Sequence, residues 1–254
     1  MLGWLLALSL LLSLAMGVAA GVLAQRRRLP GRLRRRVQSA VASSRKQVAR
    51  SRNERLSLEV RGSGHGEDAT SPKTERDAHH IYRTLELPIS ELALILIDVW
   101  ADHPVKGWVE RADENIRTKL LPLVQAAREH GVLVVHCPHG RSTNPLLAPL
   151  PDEPVLDDPA SGMSLVKALR QRGVNYLLYA GYSSNMCVLT RPTGIIEMAR
   201  HGYEIIFVRD ASLAIEAPEF LDGRLTHGVA TYMVETNWGV TTEVGQVLAA
   251  LKTA

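Results

Sequence analysis

From about Ala78 onward, apolar residues alternate between short continuous runs and helically spaced stripes. Leu92 to Ile97 is an unbroken β-type run that ends at Asp98. Asp113 to His130 then sets Ile116, Leu120, Leu121, Leu123, Val124 and Ala127 on one helical face, with Gly131 placed to stop it. Val132 to His136 reads as a second buried strand. A helix near Met163 to Arg172 is closed by Gly173, and Asn175 to Ala180 is a further strand ending at Gly181. A helical stretch reaches Gly202, Glu204 to Val208 forms a strand ending at Asp210, and Pro218 to Val234 and Glu243 to Leu251 supply the closing helices. Strand, helix and strand in repetition predict a mostly parallel sheet with helices on both faces: a three-layer α/β/α domain of Rossmann-like topology.

Sheets of this kind take ligands in the crevice outside the carboxyl ends of their strands. By position along the chain, Asp98, His136, the segment from Gly181 to Cys187, and Asp210 fall on that edge. No G-x-G-x-x-G and no phosphate-loop lysine accompanies the strands, so neither a dinucleotide nor a nucleoside triphosphate is expected there.

Upstream, the pattern is different. Leu2 to Ala24 is an uncharged, Leu- and Ala-rich run. As a helix it would extend roughly 34 Å, enough to cross a hydrocarbon core of about 30 Å. Arg26, Arg27, Arg28, Arg32, Arg34, Arg35 and Arg36 follow it, and basic flanks are retained on the cytoplasmic side. The expectation is a single-pass anchor over 1–24 in the cell membrane, a basic stalk of low hydrophobicity over 25–77, and a cytoplasmic domain over 78–254. A cleavable signal peptide is the rival reading, but such peptides carry a basic leading region and a shorter apolar run.

Charge reinforces this division. The chain carries 30 Lys and Arg against 26 Asp and Glu, a net of +4. Eleven of the bases and no acid lie before Asn53, which leaves 19 bases and 26 acids for the rest, a net of −7. The basic segment abuts the apolar run and lacks aromatics to stack bases, so anionic lipid is its expected partner and nucleic acid is not.

Two cysteines, Cys137 and Cys187, are too few for a disulfide framework and fit a reducing compartment. Cys187 follows a strand at the start of a helix, where unpaired N–H groups and the positive dipole end favour a thiolate. A buried structural thiol is the bland alternative for Cys187 and the simplest reading of Cys137. Asp98, at the end of an apolar strand, must be paired or exposed to the crevice, because burying it bare costs several kcal/mol. It suits a proton acceptor, or else a loop or helix cap.

Leu94-Ile95-Leu96-Ile97-Asp98-Val99, Gly181-Tyr182-Ser183-Ser184-Asn185-Met186-Cys187-Val188, Gly202-Tyr203 and Asp210-Ala211 together resemble the isochorismatase-like cysteine hydrolases over about Leu92 to Leu251. The resemblance implies a roughly six-stranded parallel sheet, Cys187 as nucleophile, Asp98 as acid and base, no organic cofactor, and a homo-oligomer. It also implies a cis peptide before Ser184, with Ser183, Ser184 and Met186 around the oxyanion, and Trp100, Tyr182 and Asn185 along the pocket for a small-molecule substrate. The implied reaction is attack by Cys187 on an amide-like carbon, followed by hydrolysis of the thioester.

The chain departs from the family in three places. The family's catalytic lysine would fall in Glu153-Pro154-Val155-Leu156-Asp157-Asp158, which contains none. The stretch from Cys187 to Gly202 is about three residues longer than the family's and includes Arg191-Pro192-Thr193-Gly194, whose proline and glycine should break the helix begun at Cys187. Trp100 stands where many relatives carry a polar residue. His136, His139 and Arg141 are the expected substitutes for the missing positive charge. His103, His136, His139 and Asp102 do not reproduce the metal spacing of the family's zinc amidases, so no metal is expected. The leading expectation is a membrane-anchored amidase-type hydrolase. Its alternative is a catalytically silent relative that binds a metabolite or serves as a scaffold. Vinyl-ether hydrolysis, the reaction of the family's namesake, would need no covalent cysteine.

Overall fold

The computed structural model describes residues 54–64, 74–157 and 161–254, and its folded unit spans Arg50–Ala254. The expected anchor over 1–24 and the stalk as far as 53 lie outside the described residues. Among the described residues, no helix is long and apolar enough to cross a membrane.

The elements follow the alternation of the sequence, with additions at both ends. They run β1 (Arg55–Gly64), β2 (His79–Pro88), β3 (Leu92–Ile97), α1 (Lys106–Asn115), a π-helical turn (Ile116–Leu120), α2 (Leu121–Glu129) and β4 (Leu133–Cys137). Then come α3 (Ser161–Gln171), β5 (Tyr176–Tyr182), α4 (Cys187–Thr190), α5 (Ile195–Arg200), β6 (Glu204–Leu213), α6 (Leu225–Asn237), β7 (Gly239–Thr242) and α7 (Val244–Thr253). The π turn directly precedes Pro122, whose missing N–H cannot continue the i to i+4 ladder.

The sheet has seven strands rather than six, ordered β2-β1-β7-β6-β5-β3-β4. β4, β3, β5, β6 and β7 are parallel, while β1 pairs antiparallel with both β2 and β7. β1 corrects the expectation that the chain is stalk as far as 77. Leu56, Leu58 and Val60 alternate with Arg55, Ser57 and Glu59, and the three apolar side chains are buried. This is the period of a strand with one face on a core, carried inside a polar composition.

The parallel strands are buried on both faces. On one side Leu94, Leu96, Leu178, Ile206 and Val208 pack against α1, α2 and α7. On the other Ile95, Ile97, Leu177, Tyr179 and Phe207 pack against α3, α4, α5 and α6. The chain leaves β3 for β4 on one side and returns to β5 on the other, so a topological switch point lies between the carboxyl ends of β3 and β5. The backbones there nearly touch: Gly181, at φ +106°, leaves no room for a Cβ, which would sit 2.1 Å from the Ile97 carbonyl oxygen.

Candidate active site

Asp98 leaves β3 in the left-handed region, at φ 47°, and its N–H donates to the Cys137 carbonyl at 3.0 Å. That turn sends the carboxylate inward, where it is 1% exposed and therefore needs partners. Oδ1 accepts from His139 Nδ1 at 2.6 Å, and Oδ2 accepts from Arg191 Nε at 3.2 Å. Arg191 Nη2 lies at 3.2 Å from the same oxygen. His139 Nε2 lies 3.0 Å from the hydroxyl of Thr193, which is wholly buried.

Cys187 opens α4 and is half-buried. Its thiol lies near enough to Asp98 and Arg191 for both to bear on its ionisation. Burial first, and Asp98 second, push this thiol above its usual range, while Arg191 acts against them. For Arg191, burial opposes the charge, but Asp98 and then Cys187 outweigh it and hold the guanidinium protonated. The resting site is therefore a protonated thiol beside a buried carboxylate that is paired with a cation.

The cis peptide is Tyr182–Ser183, one residue earlier than expected. Two of the expected oxyanion donors are committed elsewhere: Ser184 N–H donates to Leu213 O at 2.9 Å and Met186 N–H to Ser183 O at 3.0 Å. Ser184 Oγ lies 2.9 Å from Nδ1 of His227. Burial lowers the pKa of that ring, so the neutral form can accept from the hydroxyl.

Several other expected residues point away from the sulfur. Tyr182 is 1% exposed, and its hydroxyl donates to Asn115 Oδ1 at 2.8 Å, so it belongs to the core and not to a pocket wall. The Asn185 amide is spent on the backbone of Ile215, whose N–H it accepts at 3.2 Å and to whose carbonyl it donates at 3.4 Å. Trp100 donates from Nε1 to Pro138 O at 2.7 Å and stacks on His103. Arg141 lies over the Trp100 ring, 4.7 Å from its centroid, so it cannot serve Cys187.

His136 does not reach the site either. Its Nε2 meets Glu153 Oε2 at 2.9 Å, and Arg128 clamps the same carboxylate through Nε at 2.7 Å and Nη2 at 2.8 Å. Burial works against the charge on Glu153, but Arg128, the Leu150 N–H and His136 overcome it and hold the carboxyl at about 2. In the segment where a lysine would be expected, Glu153 thus ties the 138–157 loop to β4, and Asp157 accepts from the Gly140 N–H. Cys137 is buried, with its thiol pushed up to about 12 by that burial.

Sequence reasoning placed Arg191 only within a helix-breaking insertion. The break is present, since α4 ends at Thr190 and α5 begins at Ile195. The signal for it is a cation four residues after Cys187, one helical turn along, in a chain without the lysine that the resemblance implies. Two cavities lie near the site, neither of them lined by Cys187 or Asp98. One of about 510 Å³ is lined by Gly162, Met163, Thr190, Arg191, Pro192 and Glu197. Another of about 650 Å³, lined in part by Arg111, Lys119, Arg209, Arg224 and His227, reaches the cis-peptide loop through the Ser184–His227 contact. Among the described residues, no cluster of three or more His, Cys, Asp and Glu side chains is arranged to hold a metal ion.

Residues 92–220 match the family profile described as the isochorismatase domain, just over half of the 254 residues. No curated protein sequence gives a significant match. Among solved structures, a cysteine hydrolase from Pseudomonas syringae pv. phaseolicola 1448A superposes with a TM-score of 0.54 at 18% identity, covering 65% of this chain and 94% of its own. An isochorismatase from Pseudomonas putida KT2440 gives 0.51 at 23%, covering 63% and 91%. An isochorismatase-like hydrolase from Alkaliphilus metalliredigens gives 0.51 at 18%, covering 63% and 98%. At these identities the likeness shows a shared fold.

Proposed function

The chain belongs to the isochorismatase family, and from that premise we propose that it is a membrane-anchored cysteine hydrolase that cuts an amide, carbamoyl or related C–N bond of a small molecule through a Cys187 thioester. The observation that carries the reading is the buried Asp98 carboxylate, paired with His139 and Arg191 at the switch point of the sheet, beside the half-buried Cys187 that opens α4. As the sulfur adds to the carbonyl carbon, its proton passes to Asp98. The tetrahedral intermediate collapses, the C–N bond breaks, and the same proton leaves with the amine. Water then adds to the thioester, with Asp98 taking its proton. Collapse returns that proton to sulfur and releases the acid.

The Cys187 N–H, which has no backbone acceptor among the described residues, is the donor available to the oxyanion. Intact-mass measurement after incubation with a panel of small amides should show an acyl adduct on the wild type and none on Cys187→Ala. Neither adduct nor turnover across the panel would favour the silent, metabolite-binding or scaffold reading, for which the structural use of Glu153 and Asp157 in place of a lysine speaks.

What supports the anchor is the uncharged run over 2–24, and what supports a cytoplasmic domain is the run of arginines that follows it. Leu225, Val229 and Tyr232 share one exposed face of α6, and this apolar stripe, left uncovered by the described residues, supports a homo-oligomer. Carbonate washing should leave the full chain in the membrane pellet, and light scattering of the detergent-extracted protein should give more than one copy. Release into the supernatant counts against the anchor, and a monomer against the oligomer.

A further inference from the structure

The short helix that carries the nucleophile ends in a segment too well held to be a loose insertion. Pro192 packs its carbonyl against Gly162 of α3, where a Cβ would sit 2.5 Å from that oxygen. Gly194 lies under the carbonyls of Val188, Leu189 and Arg191, with no room for a side chain. Thr193 is buried, its carbonyl taking the Tyr179 hydroxyl at 2.8 Å and its own hydroxyl meeting His139. The Arg191 N–H bonds back to Cys187 O at 3.1 Å. The segment 191–194 is therefore held along its length, and it delivers a guanidinium to Asp98 Oδ2 at 3.2 Å, close enough to Cys187 to act against the rise in the pKa of its thiol.

We propose that Arg191 is the catalytic cation of this site, holding the thiolate that forms on Cys187 while staying paired with Asp98. The resemblance gives that work to a lysine on another element, one that residues 153–158 do not contain. The proposal rests on the hydrolase reading above and adds a residue to it. His139 cannot take the role, because its two ring nitrogens are engaged by Asp98 and Thr193. A guanidinium does not deprotonate in proteins, so Arg191 neither gives nor takes a proton. The proton moves only between sulfur, Asp98 and the leaving nitrogen or water, and Arg191 contributes charge at a fixed position. Its side chain is 36% exposed, so the charge is partly screened by solvent yet stays bonded to the carboxylate beside the thiol.

The test follows the rate of Cys187 alkylation by iodoacetamide from neutral to alkaline pH in the full chain, with Cys187→Ala as blank. An opposite charge this close shifts a titration by about 1–3 units. Arg191→Met should therefore raise the midpoint by that amount and slow alkylation at neutral pH by at least about tenfold. Arg191→Lys should recover most of the shift, and its hydrolysis should acquire a descending alkaline limb near the ordinary lysine value of about 10.4, absent from the wild type. Hydrolysis by Arg191→Met should lose kcat with little change in KM.

A lowered unfolding temperature with an unmoved alkylation midpoint would mean a merely structural ion pair and would overturn the proposal. If Arg191→Met does not fold, Arg191→Lys decides: without its alkaline limb the proposal fails. Thiol ionisation is read without substrate, so the two readings separate. A moved midpoint with no turnover on any amide overturns the hydrolase reading alone, and an unmoved midpoint with intact turnover overturns Arg191 alone.

Discussion

Asp98→Asn is expected to pull two properties of Cys187 in opposite directions, with hydrolysis falling by roughly two to four orders of magnitude and alkylation at neutral pH speeding up. The buried carboxylate beside the thiol is the proton acceptor of the proposed first step, so its loss removes that base and the acid of the second. Yet the same carboxylate, after burial, is what holds the thiol above its usual range by hydrogen bond and by charge. Removing an influence that raises a pKa lowers it, and a lower pKa means more thiolate at a given pH. Arg191, released from its anion, adds to the effect in the same direction. Paired measurements of hydrolysis and iodoacetamide rate on one preparation check it. If both rates fell together in a folded variant, Asp98 would be a support for the loop and not the proton acceptor.

Gly181→Ala should cost about 3–5 kcal/mol, a large share of the 5–15 kcal/mol that holds a domain of this kind together. Two effects add. The residue sits at φ +106°, which L side chains rarely adopt, and the new Cβ would meet Ile97 O at 2.1 Å and Ile97 N at 2.9 Å. Neither backbone can yield easily, because Ile97 is paired with Cys137 on one side and with Gly181 on the other. Gly173→Ala is the control. It also has positive φ, +69°, but a Cβ there meets nothing within 4 Å, so only the backbone cost of about 1–2 kcal/mol applies. Denaturant unfolding of the two variants side by side measures the difference. Equal losses would mean that the close approach of β3 and β5 is not a constraint. Because Ile97 precedes Asp98 and Gly181 precedes the cis peptide, any Gly181→Ala protein that does fold should also have a displaced Cys187–Asp98 pair.

Much of the fold is legible along the chain because the parallel strands are buried on both faces. Leu92–Ile97 is buried at all six positions, and such a strand shows as an unbroken apolar run. The elements without that signature were harder to see. β1 carries its alternation within a basic and polar neighbourhood, β2 is exposed along most of its length, and β7 is only four residues long. α6 begins at Leu225 and not near Pro218, since Pro218–Phe220 is an isolated 3₁₀ turn, and Glu216 caps the true start by accepting from Thr226 N and His227 N. That cap depends on a loop folding back, which no local periodicity records.

The site divides in the same way. Strand-end position brings Asp98 and Cys187 to one edge, because β3, β4 and β5 must present their carboxyl ends there, and of the three cations expected nearby, His136, His139 and Arg141, it is His139 that meets Asp98. Which side chains turn into the crevice is settled by contacts distant in sequence. Asn115 draws in the Tyr182 hydroxyl, Ile215 occupies Asn185, Glu153 claims His136 and Trp100 holds Arg141. Arg191 reaches Asp98 and Cys187 because Gly162 and Tyr179 hold the segment after α4 in place. What the sequence by itself determined was the layered architecture, since burial leaves its period in every short window, and, through its resemblance to a known family, two candidate reacting groups. The cation, the bonded oxyanion amides and the seventh strand were decided by tertiary structure, because each depends on which distant segment the chain brings alongside.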